Sequence, residues 1–146
     1  RRVAVMHSRS CIDNRIAIGQ VEGAFAGLIH ALDHGSPETR FQVSRALSQV
    51  AFRNTENKQS IGETAGAFEA LGKTIQEALQ ASDTKCLAEA CRALGVIVSG
   101  VPENQTKVAA QESVVAALKS VMENGEGESP GQAGKVLNSI CHLIPE

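Results

Sequence analysis

The chain has no tryptophan and no tyrosine, and its only benzenoid side chains are four phenylalanines. Broad aromatic faces therefore cannot build its interior; small and branched aliphatics must, which suits closely packed helices. No apolar run approaches the length of a membrane span or a signal-peptide core. Net charge is −2, so no global field draws the chain to nucleic acid or to an anionic membrane. Cys11, Cys86, Cys91 and Cys141 show neither C-x-x-C spacing nor a histidine pair at a zinc-finger interval. They are expected to be reduced, mostly buried thiols of an intracellular chain, cytoplasmic or nuclear. A glycine-rich phosphate loop, an H-E-x-x-H pair and a nucleophile elbow are all missing; no catalytic residue and no cofactor is expected. His7, His30, His34 and His142 are scattered. His30 and His34 stand one turn apart, but surface histidines at that spacing are commonly inert, and no metal is expected.

What is present is repetition. Shifting the sequence by 43 residues lays Asn14 on Asn57, Ile18 on Ile61, Gly19 on Gly62, Gly23 on Gly66, Phe25 on Phe68 and Leu28 on Leu71. A further shift of 47 carries these to Asn104, Val108, Ala109, Ser113, Val115 and Leu118, the longer step reflecting four extra residues between Leu71 and Leu94. Later in each unit Ala46-Leu47, Ala93-Leu94 and Val136-Leu137 also align. Periods of this length belong to helical arrays, in which no unit can bury its apolar face alone.

Within a unit the apolar residues fall at three, four and seven. Val43, Ala46, Leu47, Val50 and Ala51 mark one helix face, as do Ala90, Ala93, Leu94, Ile97 and Val98. Phe25, Leu28, Ile29 and Leu32 mark another, matched by Phe68, Leu71, Ile75 and Leu79. A short first helix is expected to end at Gly23, Gly66 or Ser113, where the chain turns sharply. Between the second and third helices stand "DHGSPE", "QASD" and "NGEGESPG". Ser82 or Asp83 is expected to be an N-cap, Pro37 and Pro130 suit first helical turns, and Glu123 to Gly131 reads as a mobile loop.

A three-helix unit of this period, with Asn followed by Gly-x-Phe-x-x-Leu, resembles the armadillo repeat family. "NKQSIGETAGAFEAL" and "CRALGVIVSGVPEN" look like its first elbow and its third helix. The resemblance covers nearly the whole chain and implies an all-α, right-handed α-solenoid. Residues 1–12 would be the third helix of a preceding unit, followed by repeats over 13–54, 55–101 and 102–146. Neither terminal unit has a polar outer face, so the array is expected to continue or to pack on other subunits at both ends.

The resemblance further implies a concave surface made by the third helices, which binds extended peptides. Each residue turns a helix by about 100°, so positions two before and two after the buried leucine point away from the core. These are Arg45 and Gln49, Arg92 and Val96, and Lys135 and Ser139. Family members that read nuclear localisation signals carry Trp and Asn there; this chain carries neither. A basic residue stands instead in each unit, with Arg2 in line upstream, and arginine can grip carboxylate or phosphate bidentately. The expected partner is a protein or extended peptide, acidic or phosphorylated, rather than nucleic acid or a membrane. Gln42, Glu89, Gln132 and Asn138 flank the column, with Phe41, Phe52 and His142 as apolar or aromatic additions. Glu89, one turn before Arg92, offsets part of the charge. The rival expectation is a purely architectural subunit whose surfaces are all occupied by fixed neighbours.

Overall fold

The computed structural model describes the backbone of residues 2–146 and the side chains of residues 11–146. Among these the chain is all-helical: α1 (Arg2–Gly19), α2 (Ala24–His34), α3 (Pro37–Ala51), α4 (Thr55–Glu63), α5 (Ala67–Gln80), α6 (Thr84–Val98), α7 (Pro102–Ala109), α8 (Glu112–Asn124), α9 (Ser129–Ile140) and a closing 3-10 turn at Cys141–Leu143. No described helix is long and apolar enough to cross a membrane. Equivalent helices pack in sequence order: α3 on α6 on α9, α2 on α5 on α8, and α1 on α4 on α7. The repeat in the sequence is thus a repeat in space.

Each boundary has a local cause. Gly23 and Gly66 precede α2 and α5 with φ of 77° and 76°, the left-handed conformation that costs an L side chain about 1 kcal/mol or more. Ser36 caps α3 by accepting from the Thr39 N–H at 3.2 Å, and Pro37 occupies the first turn. Asp83 does the same for α6 through the Cys86 N–H at 3.1 Å. The spaced aliphatics are buried together: Leu47, Leu94, Leu32, Leu71, Ile61 and Ile97 have no exposed surface. Fully burying such a side chain contributes about 1.5–3 kcal/mol.

Four expectations are corrected. The break between residues 12 and 13 does not occur, because α1 runs unbroken from Arg2 to Gly19. At the two later junctions Arg53 and Gly100 adopt φ of 54° and 72°, and Asn54 caps α4 by accepting from the Asn57 N–H. Ser10 and Cys11 hold the aligned places in the first unit, and neither glycine nor proline interrupts the helix there. Ser113 is not an elbow: α8 starts at Glu112 behind Gln111, whose φ is −96°. Without a glycine the third unit turns earlier, in ordinary backbone. The expected loop 123–131 shrinks to 125–128, since α8 continues to Asn124 and Ser129 opens α9. Finally, Cys11 and Cys141 are exposed, and only Cys86 and Cys91 are buried.

The units are locked by one residue type. Asn57, 4% exposed, donates through Nδ2 to the carbonyls of Arg15 (2.8 Å) and Val50 (2.9 Å). Asn104, 1% exposed, repeats this one unit on, donating to Lys58 (2.8 Å) and Ile97 (3.0 Å). The carboxamides press on Gly19 and Gly62, where a Cβ would collide with Asn57 Oδ1 and Asn104 Oδ1 respectively. The aligned asparagines and glycines are therefore the two halves of one joint.

Candidate functional site

Side chains of α3, α6 and α9 that turn from the core form a groove. Arg45 and Gln49 of α3 and Glu89, Arg92 and Val96 of α6 line a depression of about 460 Å³. Arg92 and Val96, with Gln132, Lys135 and Ser139 of α9, line a second of about 480 Å³. Arg92, Val96 and Phe52 belong to both, so the depressions are confluent. Two expected members stand outside these depressions. Gln42 is exposed and donates to Glu38 Oε1 on its own helix, and Asn138 is exposed beyond the lining. His142 also falls outside, because α9 ends at Ile140 and the histidine sits on the closing turn. Arg2, His7 and Ser8 lie outside the described side chains.

Three cations join that the third-helix pattern does not contain. Arg15 comes from α1, Lys58 from α4, and Arg53 from the α3–α4 turn. Arg15 Nε donates to the Gln49 carbonyl at 2.7 Å, and Lys58 Nζ to the Ser99 carbonyl at 2.9 Å. Both place charge at the C-terminal end of a third helix, where the helix dipole favours a cation. Partial burial lowers the Lys58 pKa. The guanidinium carbons of Arg15 and Arg53 stand 5.4 and 5.1 Å from the centre of the Phe52 ring, within cation–π range. Phe52 remains 44% exposed, an apolar platform between two positive groups. A sequence signal for Arg15 and Lys58 exists: both directly follow a repeat asparagine, and Gln105 holds the third such place.

Six cationic side chains thus line these two depressions beside Glu89, and a third depression that shares Phe41, Glu89 and Arg92 with the first adds Lys85, Glu126 and Glu128 at the α6–α9 end. Arg92 is the partly neutralised member, since Nη1 meets Glu89 Oε1 at 2.8 Å and Nη2 meets Glu128 Oε2 at 3.1 Å. Glu128 lies in the α8–α9 loop with 74% of its side chain exposed, so this pair is weak and displaceable.

No family model, curated protein or solved structure matches the chain.

The remaining chemistry is quiet. Burial pushes the Cys86 thiol to about 11 and the Cys91 thiol to about 12, so both stay protonated and unreactive near neutral pH. The His30 and His34 rings of α2 lie with their centres 4.5 Å apart, tilted by 49° to one another. Among the described residues no three metal-binding side chains stand together.

Proposed function

We propose that the chain is an armadillo-type interaction module, a right-handed α-solenoid whose α3–α6–α9 groove binds an extended acidic or phosphorylated segment of a partner protein. The observation that carries this reading is that Arg15, Arg45, Arg53, Lys58, Arg92 and Lys135 line the two depressions with Glu89 as their one carboxylate, the acidic Glu126 and Glu128 being confined to the α8–α9 loop at one end, in a chain of net charge −2. That local sign cannot come from composition, and an anionic ligand is what it complements. Phe52 and Val96 add apolar contact between the charges, which fits a peptide with hydrophobic residues among its acids. The reading contains no catalytic step, metal or cofactor, and four free cysteines support a reducing intracellular setting.

A fluorescence-anisotropy screen of acidic, phosphorylated and basic peptides tests it, beside a variant with Arg45, Arg53 and Lys135 changed to Glu. Micromolar binding of the anionic peptides, lost in the variant and weakened by salt, is expected. Binding indifferent to the three changes sinks the groove. A second reading, an architectural subunit, draws on a different observation: the first unit leaves Ile12, Ile16, Ile18 and Val21 exposed.

A further inference from the structure

The two confluent depressions are one site built twice. In the first, Arg45, Arg92 and the first-helix cation Arg15 surround the opening; in the second their aligned successors Arg92, Lys135 and Lys58 do. The copies differ in what accompanies those cations. Glu89 of the first is replaced by Gln132 in the second, and the place of Phe52 is taken by Ser99. Phe41 lines the first and not the second, and Arg53 the second and not the first.

One backbone plan therefore presents two chemistries. Phe41, Phe52 and Val96 make the first depression apolar between its charges. Its cations are in part engaged, since Arg15 Nε donates to the Gln49 carbonyl and Arg92 Nη1 meets Glu89 Oε1. A dianion entering there would stand beside the Glu89 carboxylate. An apolar side chain would instead cover Phe52, which is 44% exposed, and gain by removing it from water. The second depression has Arg53, Lys58, Arg92 and Lys135 in its lining and no carboxylate. Glu128, which reaches Arg92, lines the third depression and not this one. Among the described residues neither Arg53 nor Lys135 joins an ion pair, and both are exposed. Lys58 Nζ donates one hydrogen to the Ser99 carbonyl and has two more to give. A phosphate monoester brings close to two charges and three acceptor oxygens, more than one carboxylate offers to such a set.

The stack also fixes the distance between the two sites. The first lies between α3 and α6 and the second between α6 and α9, and packed helices stand about 8–10 Å apart. A polyproline-II segment rises about 3.1 Å per residue and returns to the same face about every three residues. Side chains three positions apart on one such segment therefore match the spacing.

Building on the groove's proposed role as an anion-binding surface, we infer that its ligand is a partner-protein segment with a large apolar residue and a phosphoserine or phosphothreonine three positions apart. The apolar side chain fills the first depression against Phe52. The phosphate sits in the second against Arg53, Lys58 and Lys135. The groove is thus a pair of unlike pockets rather than a uniform cationic track.

The test varies the spacing. Fluorescence anisotropy is measured with peptides carrying one leucine and one phosphoserine separated by zero to six alanines, in both orders. The proteins are the wild type, Phe52→Ala and Lys135→Gln, after circular dichroism confirms that each is folded. In one of the two orders affinity is expected to peak at two intervening residues, about fivefold above the shortest and longest spacers. Phe52→Ala is expected to erase the advantage of leucine over alanine. Lys135→Gln is expected to cut the advantage of phosphoserine over serine about fivefold and to leave that of leucine intact. Phosphopeptides that need Arg45, Arg53 and Lys135 yet bind equally at every spacing overturn the paired pockets and leave the anion-binding groove standing. So does a Phe52→Ala protein that loses as much affinity for the alanine peptide as for the leucine one. Phosphopeptides that do not bind, or that bind the variant with Arg45, Arg53 and Lys135 changed to Glu as well as wild type, remove the groove and the pockets together.

Discussion

Two glycines four residues apart do opposite work. Gly66 needs its left-handed φ of 76°, yet a Cβ there would meet nothing within 4 Å. Gly62 lies in ordinary helical backbone, but its missing side chain makes room for Asn104. Gly66→Ala is therefore expected to cost about 1 kcal/mol, from backbone conformation alone. Gly62→Ala gains up to about 1 kcal/mol of helix propensity. It nevertheless loses more, because it evicts a buried carboxamide that donates twice; a net loss of about 2 kcal/mol or more is expected. Urea denaturation of the two variants checks the order, and a Gly62→Ala protein as stable as Gly66→Ala would remove the joint from the account. Both glycines were visible in the sequence as repeat positions. Gly66 was also legible as the turn after the first helix, but the reason for Gly62 was not, because sequence records that a side chain is absent without recording that a neighbour one unit away fills its place.

The helices themselves were legible because 3.6-residue periodicity is a property of each segment alone. The apolar faces of α3, α5 and α6 are buried where the spacing put them, with Ala46 and Leu79 only partly so. The groove was half legible, since the third helix dictates which of its own side chains leave the core, and Arg45, Arg92 and Lys135 do. It does not dictate what other helices contribute. Arg15 and Lys58 arrive from first helices through stacking, and Glu128 arrives through the path of a four-residue loop. That last contact carries a prediction. Glu128→Gln removes one of the two carboxylates that hold Arg92, so an anionic peptide no longer competes with it. Affinity is expected to rise about two- to fivefold, in line with the 0.2–1 kcal/mol of an exposed pair, with the gain shrinking at high salt. Isothermal titration of both proteins with one acidic peptide measures it; unchanged or weaker binding would place the ligand away from Arg92.

Across the molecule, stability is carried from unit to unit by joints of one design, so the stack is a chain of coupled segments. Asn104→Ala cuts the coupling between the second and third units while leaving each unit's own apolar packing in place. Loss of two hydrogen bonds from a buried amide is expected to cost about 2–3 kcal/mol. It should also broaden urea unfolding, lowering the apparent m-value as the third unit melts ahead of the rest. A single transition of unchanged slope would mean that the shared α5–α8 and α6–α9 packing alone keeps the units cooperative. The same joint bears on how such a chain can change its length. The stretch from Asn57 to Glu103, 47 residues, begins with a donor and contains its own glycine and both carbonyl acceptors. Copied in tandem, it would meet itself at a joint already formed, so a longer descendant needs one duplication and no newly invented contact.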